Sequence, residues 1–185
     1  MRPAFEFPAV GITDGEIRLR LRSDADIPAL VAICRDPEIP RWTRVPEEYS
    51  EDTAREWTKQ AAADQERGTG LHLLVADADS DAVIGSAGIV GVDWEESRCE
   101  IGYFIARENR GRGLMTRAVR LLCRWIFDEL PIERVEIHAE PSNRASCRVA
   151  EAAGFTFEGV LRSYFVNKGT RRDACSYSLL RGELR

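Results

Sequence analysis

Two hydrophobic periods lie back to back in residues 99–129, and few folds accommodate both. From Cys99 to Ile105 the chain alternates, with Cys99, Ile101, Tyr103 and Ile105 on one face and Glu100, Gly102 and Phe104 on the other, which is the period of a strand. From about Gly113 to Glu129, Leu114, Ala118, Leu121, Leu122, Trp125 and Ile126 recur at helical spacing, with Arg117, Arg120 and Arg124 opposite them. Between the two stands Arg110-Gly111-Arg112-Gly113-Leu114-Met115. A strand that turns directly into a long amphipathic helix buries that helix on a sheet, so the chain reads as a sheet covered by helices.

The flanking segments extend this plan. Glu16–Arg22 alternates Ile17, Leu19 and Leu21 with arginines, which predicts a first strand. Ser23 and Asp26 form a capping box for a helix through Ile27, Leu30, Val31 and Cys34, which Pro37 and Pro40 end. Residues 39–49 read as irregular; Ser50 caps a second helix that runs to about Arg67 and stops at Gly68 and Gly70. Leu71–Ala76 and Val83–Val92 read as a hairpin across the turn composition of residues 77–81. Arg134–Glu140 is another alternating strand, and Asn143–Ala153 is a short helix closed by Gly154. Phe155–Leu161 and Ala174–Leu180 are the last two strands, with Asn167-Lys168-Gly169 as the turn between them. The expectation is one α+β domain over residues 16–185 with an N-terminal extension at 1–15.

Composition limits the function. Hydrophobic residues at 44% and charged residues at 31% are ordinary globular usage over 185 residues, about one domain length. No apolar run approaches membrane length, and Met1–Val10 carries Glu6 and two prolines instead of a signal-like apolar centre. Cys34, Cys99, Cys123, Cys147 and Cys175 are odd in number and never spaced C-x-x-C, which predicts neither disulfides nor a zinc knuckle and fits a cytoplasmic protein. His72 and His138 stand apart from any acid or cysteine in metal spacing, so no metal site is expected. The net charge of −5 disfavours direct nucleic-acid binding. It is unevenly placed: residues 1–96 hold 10 Lys and Arg against 20 Asp and Glu, residues 97–185 hold 16 against 11. The second half thus suits an anionic ligand and the first a cationic one, although scattered surface charge explains the split equally well.

The Arg110–Met115 turn suits phosphate oxygens. Glycines let the backbone approach an anion, and the first-turn N–H groups and the helix dipole attract it. A plain loop before a helix is the competing reading. The turn lacks the Lys and Ser/Thr of a P-loop, and Thr116 breaks the dinucleotide Gly-x-Gly-x-x-Gly spacing. Glu100-Ile101-Gly102-Tyr103-Phe104 followed by Arg110-Gly111-Arg112-Gly113-Leu114 resembles the acetyl-CoA motif of the GNAT acetyltransferase superfamily, Gln/Arg-x-x-Gly-x-Gly/Ala. Met115 departs from its last position and is expected to narrow the space at the helix start. Asn143-Arg144-Ala145-Ser146, Ala153-Gly154-Phe155 and Glu158-Gly159-Val160-Leu161-Arg162 resemble the RimJ/RimL-like branch, and the similarity runs from about Ile17 to Leu180.

The resemblance implies a GNAT fold: a central, mixed, mostly antiparallel twisted sheet of about seven strands flanked by about four helices, with strands 99–105 and 134–140 splayed around a pantetheine slot. It implies acetyl-CoA as cofactor and transfer to a primary amine, a protein or peptide N-terminus, by direct attack in a ternary complex. A small-molecule amine is the alternative acceptor, and a non-catalytic acyl-CoA sensor the second alternative. Diphosphate would bind the amides of Arg112, Gly113, Leu114 and Met115 across Gly111, with Arg110 and Arg112 for charge; backbone at Phe104 and Ile105 would hold pantetheine. The tyrosine that many relatives use as general acid is replaced by Ala150, and Ser146 takes the place of the branch's alternative. Asn143 would orient pantetheine, or be a plain N-cap, as Ser146 could be a plain helix residue. Glu100 is the candidate general base, or an acid paired with an arginine. Trp42 and Tyr103 fall on the acceptor side, Trp42 with a core tryptophan as its alternative. The acids Glu47, Glu48, Glu51, Asp52 and Glu56 would attract a cationic amine or merely face solvent. Exposed strand edges would permit a homodimer.

Overall fold

The alternating segments assemble into one eight-stranded sheet in the computed structural model, which describes residues 4–184. The strands are β1 (Ile12–Thr13), β2 (Ile17–Arg20), β3 (Leu71–Asp77), β4 (Val83–Asp93), β5 (Arg98–Ile105), β6 (Arg134–Ala139), β7 (Thr156–Asn167) and β8 (Thr170–Leu180). Their order is β1-β2-β3-β4-β5-β6-β8-β7, and every neighbouring pair is antiparallel except the parallel β5–β6 pair. The helices are α1 (Ile27–Cys34), α2 (Glu38–Trp42), α3 (Glu51–Arg67), α4 (Leu114–Glu129) and α5 (Arg144–Ala153).

The counts of about seven strands and four helices are therefore each one short. β1 spans two residues, too few to show a period, and pairs Ile12 with Leu19. α2 lies in the stretch read as irregular. Pro37 is its N-cap and Pro40 sits in its first turn, where a missing N–H costs no helical bond, so the proline that ends one helix starts the next. The last hairpin is longer than its apolar runs. Phe165 pairs with Arg172 and Asn167 with Thr170, leaving Lys168-Gly169 as a two-residue turn with φ of 48° and 74°. Residues 156–167 are mostly exposed on both faces, which hides the strand from a hydrophobicity pattern.

Local signals place the helix ends as expected. The Asp26 carboxylate accepts from the Ser23 N–H and Oγ, each at 2.8 Å, and Ser50 Oγ accepts from the Thr53 N–H at 3.2 Å. Gly68 and Gly154 close α3 and α5 in left-handed conformations.

α4 and α5 cover one face of the sheet. Leu122 and Ile126 are wholly buried there with Leu19, Leu71, Ile89 and Val135. α1 and α3 cover the other, where Ile27, Leu30 and Ala54 meet Leu74 and Ala106. The segment read as an extension joins the first core: Phe5 and Phe7 are buried, Phe7 lies edge-on to Trp125 at 5.0 Å, and the Phe5 N–H donates to the Gln65 carbonyl at 3.0 Å. Residues 1–3 of that segment, and Arg185, lie outside the described residues.

The parallel pair is the feature that matters for function. β5 and β6 are in register only from Arg98–Arg134 to Glu100–Glu136. β5 nevertheless stays bonded to β4 as far as Ile105, and β6 to β8 as far as Ala139. The sheet thus forks beyond Glu100 and Glu136.

At the closed end of the fork the Arg134 guanidinium binds Glu158 through both terminal nitrogens, at 2.8 and 2.5 Å, and Glu136 through Nε at 2.6 Å. Its hydrogen bonds lower the Glu158 carboxyl from its usual 4.5 to about 2. A carboxyl depressed by folding stabilises above its unfolded pKa and loses that contribution as pH falls through the folded one. The side chain is 38% exposed, so screening limits the effect to about 1 kcal/mol or less. Thermal melts of Glu158→Gln are expected to show a flatter dependence of Tm on pH between 4.5 and 2 than the wild type.

Candidate active site

Backbone direction along β5 decides which groups face the fork. The Phe104 carbonyl oxygen lies 2.4 Å from where a Cβ on Gly85 would stand, and the Ala106 N–H donates to the Ile84 carbonyl at 2.8 Å, so both point to β4. Alternation turns the peptide groups of Tyr103 and Ile105 the other way, into the opening. Phe104, expected to offer backbone to pantetheine, faces away, and its ring packs on the α1–α3 core. The Ile105 carbonyl accepts from Arg110 Nη2 at 3.3 Å.

From β5 the chain passes through a 3₁₀ turn at Arg107–Asn109 to Gly111 and Gly113, with φ of 73° and 76°, and enters α4. Only glycine adopts such angles freely. A Cβ built on either meets nothing within 4 Å, so the outer surface of the turn is open. The first-turn N–H groups of α4 have no helical carbonyl ahead of them, and they face that surface with the positive end of the helix dipole. Two expectations change. Arg110 does not lie free: its Nη2 is 2.6 Å from Asp36 Oδ2, which ties the end of α1 to this turn, while Arg112 has no carboxylate within ion-pair distance among the described residues, although Asp77 is near enough to feel its charge. Met115 does not narrow the cradle, because its side chain is buried in the core beneath α4.

On the α4–α5 side of the fork, the Tyr103 hydroxyl reaches α5, 3.1 Å from the Ser146 carbonyl and 3.0 Å from Ser146 Oγ. With the phenol proton on the carbonyl, the serine hydroxyl donates to the phenol oxygen. Burial pushes the Tyr103 phenol up, and the bond to Ser146 only partly offsets this, so the O–H persists at physiological pH. Tyr103, expected beside the acceptor, is therefore joined to Ser146. Asn143 is the N-cap of α5, its Oδ1 accepting from the Ser146 N–H at 3.2 Å. Ala150 is wholly buried, filling the position where many relatives carry tyrosine.

On the opposite face, the Glu100 carboxylate meets a histidine rather than an arginine. His138 Nδ1 is 3.4 Å from Glu100 Oε2, off the line of a hydrogen bond, so that buried nitrogen has no hydrogen-bond partner. The His138 side chain is 5% exposed and that of Glu100 39%, and the Tyr164 ring packs against the imidazole at 4.6 Å, tilted by 36°. Neither histidine is isolated from acids, since His72 Nε2 lies 3.3 Å from Asp64 Oδ2. Among the described residues no group of three or more potential ligands could hold a metal ion.

Trp42 is half-buried in α2, donates through Nε1 to Glu38 at 2.9 Å and has the Arg41 guanidinium over its ring at 4.6 Å. Its face is thus already occupied by a cation. Glu47 and Glu51 are paired with Lys168 and Arg55. The strand register sets Glu100 opposite Glu136, and His138, two positions on along the same face of β6, reaches it only in the folded chain; Tyr164 lies in the part of β7 that carried no pattern.

These features have relatives. Residues 16–156 match the model of the acetyltransferase (GNAT) domain. The chain is 34% identical over 173 residues to the putative ribosomal N-acetyltransferase YdaF of Bacillus subtilis (strain 168), covering 90% of this chain and 91% of that one. It is 31% identical over 170 residues to the uncharacterized N-acetyltransferase p20 of Bacillus licheniformis, covering 90% and 94%. The crystal structure of the microcin C7 self-immunity acetyltransferase MccE, in complex with acetyl-CoA and AMP, superimposes with a TM-score of 0.83 at 22% identity, over 92% of this chain and 99% of that one. A sheet forked between parallel strands beside a glycine turn, and a domain match over most of the chain, lead to one conclusion: the protein belongs to the GNAT family and is an acetyltransferase.

Proposed function

We propose that the chain transfers the acetyl group of acetyl-CoA to the N-terminal amine of a protein or peptide, by direct attack with donor and acceptor bound together. The observation that carries this reading is the fork between β5 and β6, which has the open turn at Gly111 and Gly113 near one side and Glu100 beside His138 at its base. The turn fits a diphosphate: the N–H groups of Arg112, Gly113, Leu114 and Met115 would hold it, with Arg112 for charge. Pantetheine would lie along the Tyr103 and Ile105 peptide groups. When bound, the coenzyme supplies a thioester open to attack by a neutral amine.

The chain's own groups then handle the protons. Glu100, the more exposed of its pair, takes the amine proton at its carboxylate, and His138 sets the position of that carboxylate from behind. Ser146 Oγ, held by Tyr103, turns its one proton from the phenol oxygen to the departing sulfur and regains a proton from water, as Glu100 returns the amine proton to water. Ser146→Ala is expected to lower kcat by about 10²-fold, with CoA affinity by calorimetry changed by less than about threefold. Tyr103→Phe, which leaves the serine in place but unaligned, is expected to have a smaller effect.

Thiol release from acetyl-CoA, followed with a panel of peptides, polyamines and amino acids, tests the reading. Turnover with peptide N-termini supports it. Turnover with small amines alone moves the acceptor class to small molecules, and tight CoA binding without turnover on any amine leaves a sensor instead of an enzyme. The RimJ/RimL-like resemblance and the relative named as a putative ribosomal N-acetyltransferase both favour the peptide acceptor.

A further inference from the structure

A cavity of about 420 Å³ opens between the α1–α2 segment and the tip of the β7–β8 hairpin, and its lining is cationic. Arg35, Arg41, Lys168 and Arg172 border it with Glu47 and Asn167. The cations are only partly engaged. Arg41 meets Glu38 at 3.1 Å, Lys168 meets Glu47 at 2.9 Å, and Arg172 approaches Glu140 no nearer than 3.9 Å. Arg35 has no carboxylate partner among the described residues. A guanidinium carries five N–H donors in a fork that suits a carboxylate, and among the described residues each arginine here leaves most of its donors without a hydrogen bond.

Asn167 links the cavity lining to the residue just past the end of β6. Asn167 Nδ2 donates to the Arg41 carbonyl at 3.3 Å and reaches Glu140 Oε1 at 3.5 Å, and Glu140 follows His138 by two positions. On the neighbouring strand Ser176 is the partner of His138, and Arg172 lies four positions before it. At 3.3 Å per strand residue, the Arg172 backbone lies about 13 Å along β8 from Ser176, the partner of His138. An extended peptide covers that distance in about four residues, fewer where the long Arg172 side chain reaches back toward the fork.

We infer that this cavity reads an acidic side chain near the acceptor's N-terminus, so that the favoured substrate is a peptide with Asp or Glu within its second to fourth residues. The inference rests on the reading that the amine is acetylated at the fork, and it names the acceptor class within that reading. It reverses the expectation drawn from the acids at 47–56, because the tertiary structure gathers cations from both ends of the chain around one cavity.

The experiment compares peptides that differ only at positions two to four, carrying Ala, Glu or Lys, against wild type and the double variant Arg35→Ala/Arg172→Ala. Both residues are at the surface, and near-ultraviolet circular dichroism checks the fold. The Glu peptide is expected to exceed the Ala peptide in kcat/KM by tenfold or more and the Lys peptide by more. That ratio is expected to fall toward one in the double variant and at 0.5 M salt, as for any charge-steered contact. Equal or better turnover of the Ala or Lys peptide overturns the inference. So does a loss of CoA affinity in the double variant, which would assign the cavity to the donor. If no peptide is acetylated, calorimetry with the same peptides in the presence of CoA still decides it. Binding of the Glu peptide alone, lost in the double variant, keeps the acidic-peptide site while the transfer reading fails; no preference among the peptides overturns the site itself.

Discussion

Glu100→Gln is expected to lower kcat/KM for acetyl transfer by about 10²- to 10⁴-fold, the range of a positioned general base, with CoA affinity within about twofold of wild type. The amide keeps the shape of the side chain and cannot take a proton. Glu100 is the last β5 residue in register with β6, which places its carboxylate at the base of the fork. In the proposed reading its neighbour His138 acts through it: a buried Nδ1 without a hydrogen bond, packed against the tilted Tyr164 ring, faces the carboxylate at 3.4 Å. His138→Gln is accordingly expected to cost about tenfold and to move the pH dependence of kcat/KM, which a loss of packing alone would not move. The measurements are steady-state kinetics across pH with one acceptor, and calorimetry with CoA. Full activity in Glu100→Gln would remove Glu100 from the chemistry.

Gly113→Asp is expected to weaken CoA binding by about 100-fold or more, against less than about tenfold for Gly113→Asn. Both side chains tolerate left-handed backbone better than most, and both meet open space at this φ of 76°, so the two variants share a strain of about 1 kcal/mol. They differ by one negative charge at the start of α4. Two unit charges 4 Å apart near a protein surface interact by about 4 kcal/mol before salt screening, and each 1.4 kcal/mol is tenfold in affinity. Calorimetry with CoA reads the difference, and melts without ligand check that both variants lose stability alike. Equal affinities for the two would mean that the diphosphate does not lie on these amides.

Much of the fold could be read directly where burial is one-sided. The stripe on residues 114–129, the alternation at 99–105 and 134–139, and the caps at Ser23, Ser50 and Gly154 each depend on near neighbours in sequence, and each stands where it was expected. The glycine turn before α4 was legible for the same reason. What escaped was two-sided or too short: β1, the single-turn α2 and the outer half of β7, where no apolar face is set against a polar one.

The amino-acid sequence by itself determined most of the elements, the family and the glycine turn before α4, because hydrophobic period, capping and glycine conformation are local properties of the chain. Only the tertiary structure decided which charges meet. It took Arg110 for Asp36, set His138 against Glu100 and Tyr103 against Ser146, and brought Arg35 and Arg41 to Lys168 and Arg172 around one cavity. Those partners are tens to more than a hundred residues apart, and their encounters follow from where β5 and β6 part and how the last hairpin folds over α2, which no local pattern encodes.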